Sequence, residues 1–396
     1  MKRNKNLLKG WKVVKLGEFV EINPSVNLER GKKYPYIDME DVKPFSRISE
    51  WKNWRVYKGT GSKFENGDTI FARITPCLEN GKIAYITNLK GPAFGSTEFF
   101  VLRGKKGISD SRFVYYLSLT YKVRRQAEQS MIGASGRQRV ERKAFEEIEV
   151  EVPEDLKEQK RIADILSAFD DKIELNNKII KTLETIAQEI FKEWFNENSK
   201  LKSQKSKLEQ WKIKNAEEVL IFEKGIEPGS KYYSKTKKEG YIPFYRVRDL
   251  DKQDGVDVYI PEEIADGKIC KENDVLLSLD ATVGRVKIGC NGAFSSGIRK
   301  VYSRDGFIKN SFIYFWLKTP YVQNTILEHA SGTTILHAGN SIKYLKFPFN
   351  REVIEKIQSK VDPIFERILQ ILSENQTLFN LRDLLLPKLM SGEIRV

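Results

Sequence analysis

The chain carries the same plan twice, and that duplication limits what it can fold into more than any single motif does. Trp11-Lys-Val-Val-Lys-Leu-Gly-Glu-Phe-Val20 returns as Trp211-Lys-Ile-Lys-Asn-Ala-Glu-Glu-Val-Leu220, and Tyr34-Pro-Tyr-Ile-Asp-Met-Glu-Asp-Val42 as Ile242-Pro-Phe-Tyr-Arg-Val-Arg-Asp-Leu250. Asn66-Gly-Asp-Thr-Ile70 matches Glu272-Asn-Asp-Val-Leu276, and Ala134-Ser-Gly136 matches Ala330-Ser-Gly332. The four matches keep their order while their separation drifts between 196 and 208 residues, as changes in loop length produce. A period this long exceeds the roughly 20–50 residues of solenoid repeats and fits a duplicated domain.

Within each half, short apolar runs bounded by Gly, Asn, Asp and Pro read as strands with tight turns. Examples are Gly67–Arg73, Lys82–Ile86 and Glu98–Leu102, with counterparts Asp274–Ser278, Gly284–Ile288 and Arg299–Tyr302. One helix is expected near Ser111–Gln129 and another near Ser311–His329, the second broken at Pro320. The halves divide into a module at 1–152, a helical segment at 153–198, a Lys-rich linker with the second module at 199–350, and a helical segment at 351–396. The expected fold class is α+β: two similar β-rich α+β modules separated by two long antiparallel coiled-coil helices with pseudo-two-fold symmetry.

The helical segments carry the coiled-coil signal. Glu158 to Phe195 contains no Gly or Pro, and Ile162, Leu166, Phe169, Ile173, Ile180, Leu183, Ala187, Ile190 and Trp194 step alternately by four and three. Asn176 fills the slot that interrupts the stripe, and the seam keeps the 3.5-residue period of a coiled coil. Shifted by 199 residues, Val361, Phe365, Ile368, Leu372 and Asn375 fall on Ile162, Leu166, Phe169, Ile173 and Asn176. Asp362-Pro363 reads as an N-cap with Pro at the first helical position, so the second helix is expected to begin there after a short helical stub. Pro387 suggests an end or kink near Leu386. Antiparallel pairing of two such helices would bring Asn176 and Asn375 face to face near the crossing.

Lys and Arg number 68 against 54 Asp and Glu, a net charge of +14, which favours a polyanionic partner. Cys77, Cys270 and Cys290 are odd in number and far apart, which argues against a disulfide framework. With His329 and His337 as the only histidines, and neither a CxxC pair nor an HExxH motif, no metal site is expected. There is no phosphate-binding loop, and Asn23-Pro-Ser-Val26 lacks the second proline and aromatic of an amino-methyltransferase motif. Asp41-Val-Lys43, Asp155-Leu-Lys157 and Glu158-Gln-Lys160 match a nuclease-like triple, but a chain with 31% charged residues produces such triples by chance. No catalytic residue or cofactor of its own is expected. No apolar run reaches the ~20 residues of a membrane span and Met1–Gly10 has no apolar signal core, so the expected compartment is the cytoplasm, with no membrane partner.

Pro153-Glu-Asp-Leu-Lys-Glu-Gln-Lys-Arg-Ile-Ala-Asp-Ile-Leu-Ser167, the Asp170–Phe195 helix and Leu381-Arg-Asp-Leu-Leu-Leu-Pro-Lys-Leu-Met-Ser-Gly-Glu-Ile394 resemble the specificity subunit of type I restriction–modification systems. The resemblance covers the whole chain, as two target-recognition domains each followed by a helical region. It implies a non-catalytic subunit that reads a bipartite sequence in double-stranded DNA, one half-site per recognition domain. It also implies assembly with two methyltransferase (modification) subunits and with restriction subunits. S-adenosylmethionine, ATP and Mg would then belong to those partners. A stand-alone coiled-coil DNA-binding protein is the alternative, and a toxin-like nuclease is disfavoured by the motifs.

Loops on a rigid scaffold are the natural readers of DNA. In the first half the candidates are Arg73, Thr75, Asn80, Lys82, Ser96, Thr97, Arg137, Gln138 and Arg139. In the second they are Ser278, Thr282, Arg285, Ser295, Ser296, Arg299, Thr333, Thr334 and His337, with Arg246 and Arg248 as a second tier. Arginine suits guanine, and Asn or Gln suits adenine. The net charge of +14 predicts a steep loss of DNA affinity with salt, each neutralised phosphate adding about −0.9 to the log–log slope. A salt titration of the assembled complex with a slope near zero would show that the basic surface is not the DNA surface.

Overall fold

The computed structural model describes residues 8–134, 136–195, 212–252, 255–332 and 336–396. It comprises two compact units, Met1–Asp171 with Asn380–Val396, and Lys172–Phe379. The division falls inside both long helices rather than at their ends, so each unit owns a piece of each.

The first unit holds a five-stranded sheet in the order Val20–Ile22, Phe99–Gly104, Thr69–Ala72, Ile83–Ile86, Ser46–Ile48. A second sheet runs Trp54–Val56, Lys33–Ile37, Ala93–Gly95, Ser62–Phe64. The second unit repeats the plan with Leu220–Lys224, Ile298–Ser303, Val275–Ser278, Val286–Lys287, and with Tyr259–Pro261, Tyr241–Tyr245, Gly292–Phe294, Ile269–Cys270. Even the parallel pairing recurs: Tyr36 opposite Phe94, and Phe244 opposite Ala293. Thr69–Ala72 and Val275–Ser278 are buried along their whole length, which explains apolar runs without alternation.

The helix expected at Ser111–Gln129 is two helices, Ser111–Leu119 and Tyr121–Gln129. Thr120 between them is extended (φ −61°, ψ 144°), and its hydroxyl donates to Leu117 O at 2.7 Å. In the second unit Thr319 takes the same conformation (φ −65°, ψ 146°) between Asn310–Leu317 and Pro320–Glu328. The break therefore belongs to both halves and sits at a threonine. Pro320 does not break a helix but opens one, in the first turn where its missing N–H costs nothing.

The two long helices are Leu156–Phe195 and Arg351–Met390, each of 40 residues. The expected start at Asp362-Pro363 and end near Leu386 are corrected: helix runs through both prolines. Pro363 and Pro387 are exposed, and so are Ser359 and Asp383, whose carbonyls lose their N–H partners. Water can solvate those carbonyls, while buried Val361, Phe365, Ile368 and Leu389 hold the inner face. Asp362 is no cap; its carboxylate accepts from Ser311 Oγ at 2.5 Å and Lys309 Nζ at 2.6 Å.

Polar groups in the helix seams are paired. In the second unit Asn176 Nδ2 donates to Asn375 Oδ1 at 2.8 Å and to Glu374 Oε2 at 2.9 Å, and Asn375 Nδ2 donates to Asn177 Oδ1 at 3.1 Å. The two asparagines face each other as the seam pattern predicts. In the first unit buried Arg382 donates to Asp170 Oδ1 at 2.8 Å, and the Tyr116 hydroxyl to Asp170 Oδ2 at 2.7 Å. Burial, then the Asp170 charge, pushes the Tyr116 phenol well above its ordinary pKa, so it stays a donor. A buried glutamine ties each module to a long helix. Gln159 accepts from Asp110 N at 2.9 Å and donates to Ile108 O and Pro153 O, both at 3.0 Å; Gln358 accepts from Lys309 N at 2.8 Å. Glu158 accepts from Trp11 Nε1 at 3.0 Å, so the Glu158-Gln-Lys160 triple serves packing.

The amide pair predicts an asymmetric response. Asn176→Leu alone leaves the Asn375 amide short of a partner and should lower stability by about 1–3 kcal/mol. Asn176→Leu with Asn375→Leu should recover most of that loss while loosening helix register. Thermal unfolding of the two variants distinguishes this from additive losses.

Candidate nucleic-acid interface

Three loops meet at the ends of two interior strands of the main sheet in each unit, fastened by a single residue. In the first unit Arg73, just beyond Thr69–Ala72, donates its N–H to Glu98 O at 3.0 Å and accepts from Val140 N at 2.8 Å. In the second unit Leu279, just beyond Val275–Ser278, donates to Gly297 O at 2.9 Å and accepts from Ala338 N at 2.7 Å. Strand register makes these positions equivalent: Phe99 pairs with Ala72 as Ile298 pairs with Ser278. The third loop adds a ladder contact, Ile74 with Arg139 in one unit and Asp280 with His337 in the other. The backbone frame is thus identical while the side chains on it differ.

The candidates fare differently within this frame. Asn80, Thr97, Arg137 and Thr282 are exposed. Arg139 is partly exposed and His337 exposed, and each is held by a carboxylate. Arg73 stands 3.7 Å from Glu98 and over the Phe100 ring at 5.1 Å. Thr75 Oγ1 and the Gln138 backbone bond each other: Gln138 N donates at 3.0 Å, and Oγ1 donates to Gln138 O at 3.3 Å. Lys82 Nζ is turned inward to Met39 O at 2.6 Å, and Ser96 Oγ accepts from Glu98 N at 3.2 Å.

In the second unit Ser278 is fully buried; its hydroxyl accepts from Arg285 N at 2.9 Å and donates to Thr282 O at 2.6 Å. Ser295 is buried, and Ser296 Oγ donates to Glu227 at 2.9 Å. Arg285 pairs with Asp251 and donates to Val247 O at 3.3 Å. Arg299 donates to Ser296 O at 2.6 Å, and burial lowers its pKa. Arg246 is paired with Asp249 at 2.8 Å, whereas Arg248 is exposed, 3.9 Å from Asp249. Thr333 and Thr334 lie outside the described residues. Lys82, Ser278, Ser295 and Arg299 therefore brace the loops rather than face outward.

The sequence reading passed over two groups. One is the pair of carboxylates, Glu98 and Asp280, whose partners Arg139 and His337 are distant in sequence. The other is a Lys-rich loop beside the second junction, attached through Ile226, whose N–H donates to Phe294 O at 3.0 Å and whose carbonyl accepts from Ser296 N at 2.7 Å. It carries exposed Lys231, Lys235, Lys237 and Lys238, a run visible in the sequence. Lysines of this kind suit phosphate oxygens, and the guanidinium, hydroxyl, amide and ring nitrogen groups of the junction suit base edges.

The type I restriction modification DNA specificity domain matches the chain twice, over residues 8–185 and 208–361. The type I restriction enzyme MjaIX specificity subunit of Methanocaldococcus jannaschii is 27% identical, over 98% of this chain and 94% of its own length. The HindI specificity subunit of Haemophilus influenzae is 25% identical, over 87% and 90%. The crystal structure of a type I restriction-modification system S subunit from M. genitalium shares the fold, with a TM-score of 0.53 at 19% identity over 98% of each chain. Two matched domains, two equivalent three-loop junctions and relatives aligned nearly end to end place this chain in the family of type I restriction–modification specificity subunits.

Proposed function

We propose that the chain supplies the DNA sequence preference of a type I restriction–modification complex, each module reading one half of a bipartite target through its three-loop junction. The observation that supports this is the repeated backbone frame, the same pair of hydrogen bonds at Arg73 and Leu279, carrying different side chains. A fixed frame with variable side chains is what two separate readers need. The Lys231–Lys238 loop fits a phosphate-contacting role, which positions without specifying. In this reading the chain performs no chemistry. Two modification subunits dock on the helical segments and bring S-adenosylmethionine; restriction subunits bring ATP and Mg.

The test is reconstitution of the full chain with its modification subunits, followed by mapping of the methylated sequence. Thr97→Ala with Arg137→Ala should relax one half-site and Thr282→Ala the other, each lost base contact reducing discrimination by about 1–3 kcal/mol. A substitution in one module that altered both half-sites equally would overturn the assignment of one module to one half-site. Methyl transfer by the isolated chain would overturn its non-catalytic role.

A further inference from the structure

The two junctions contain one chemical device built from different backbone positions. In the first unit Glu98 holds Arg139: Nε donates to both carboxylate oxygens at 3.0 and 2.9 Å, and one terminal nitrogen donates to Oε1 at 2.7 Å. The carboxylate takes one side of the guanidinium fork and leaves its tip, whose other terminal nitrogen is 3.5 Å from Arg137 O. The side chain is 42% exposed. In the second unit the position equivalent to Glu98 is Gly297, and no carboxylate can come from there. Asp280, equivalent to Ile74, supplies one instead and accepts from His337 Nδ1 at 2.8 Å.

The exchange is sterically linked. A Cβ on Gly297 would lie 2.9 Å from Val247 Cγ2, 3.2 Å from Asp280 Cβ and 3.3 Å from its Oδ2, so a side chain at this position would crowd the Asp280 carboxylate as well as Val247. His337 is equivalent to Arg139 by the ladder contact, and its ring is 62% exposed. A carboxylate accepts only, so in the neutral ring Asp280 selects the form with hydrogen on Nδ1. Nε2, which has no protein partner among the described residues, is then an acceptor.

We propose that Arg139 and His337 are the equivalent specificity-determining residues of the two modules, each aimed by a carboxylate, Glu98 or Asp280. Arg139 presents two donors, the complement of guanine O6 and N7 in the major groove. In its neutral form His337 presents an acceptor, the complement of a base amino group, adenine N6 or cytosine N4. Glu98 and Asp280 are positioning residues: they fix side-chain rotamers before DNA arrives, which reduces the ordering cost of binding.

This inference rests on the proposed function, and the experiment separates the two. The full chain is reconstituted with its modification subunits and offered duplexes randomised across both half-sites; methylated products are sequenced. Arg139→Ala and Glu98→Gln should each relax one guanine position in one half-site at least tenfold, leaving the other half-site intact. His337→Ala and Asp280→Asn should relax one adenine or cytosine position in the other. Arg139→Lys, which keeps the charge but not the fork, should relax the same guanine if the alanine variant is inactive. A wild-type complex without a bipartite preference overturns the functional reading and this inference with it. A bipartite motif unchanged by Arg139→Lys and His337→Ala overturns this inference alone. So does a uniform loss of methylation across all sequences, which a merely structural role would give.

Discussion

A helix that is apolar on every side has to be enclosed, and each unit of this protein is organised around one. Phe113 through Leu119 are all buried, as are Ser311 through Leu317. The sheet covers one side of each: Phe71 and Phe100 in the first unit, Leu277 and Val301 in the second. The long helices cover the other, with Ile162, Leu166 and Leu389 in the first unit and Ala187, Phe191, Ile354 and Phe365 in the second. At about 1.5–3 kcal/mol per large side chain removed from water, neither module closes its core without helix segments contributed by distant parts of the chain.

That demand brings polar groups into dry surroundings, and their pairing gives the packing its uniqueness. Gln159 and Gln358 tie the helix feet to the turns that start the buried helices. Asp170 is satisfied by Arg382 and Tyr116 together, and Asn176 and Asn375 by each other and their neighbours. Removing one member of such a set leaves a desolvated group behind, so each set penalises helix register shifts that an apolar seam would tolerate.

With the core fixed, the junction loops can differ without disturbing it. Their attachment uses backbone groups, at Arg73 in one half and Leu279 in the other, and backbone bonds are indifferent to side-chain identity. Glu98 and Ile74 in one frame become Gly297 and Asp280 in the other, and the carboxylate survives by moving. A duplicated scaffold can in this way carry two unlike readers.

The duplication, the strand runs, the heptad seam and the facing asparagines were all legible in the sequence, because each is a repeat or a spacing that can be read along the chain. The two prolines in the second long helix were not. The cost of a helical proline depends on whether the carbonyl four residues back meets water or core, and the exposure of Ser359 and Asp383 is a property of packing. The break at Thr120 was missed for a related reason, since a threonine can continue a helix or cap one. The candidate interface divided along the same line. Its loops could be located from turns and repeats, but a lysine or serine in a turn can reach outward or bond a nearby backbone group. Lys82 and Ser278 took the second course. Only the tertiary structure, by bringing strands distant in sequence into register, set Glu98 against Arg139 and Asp280 against His337.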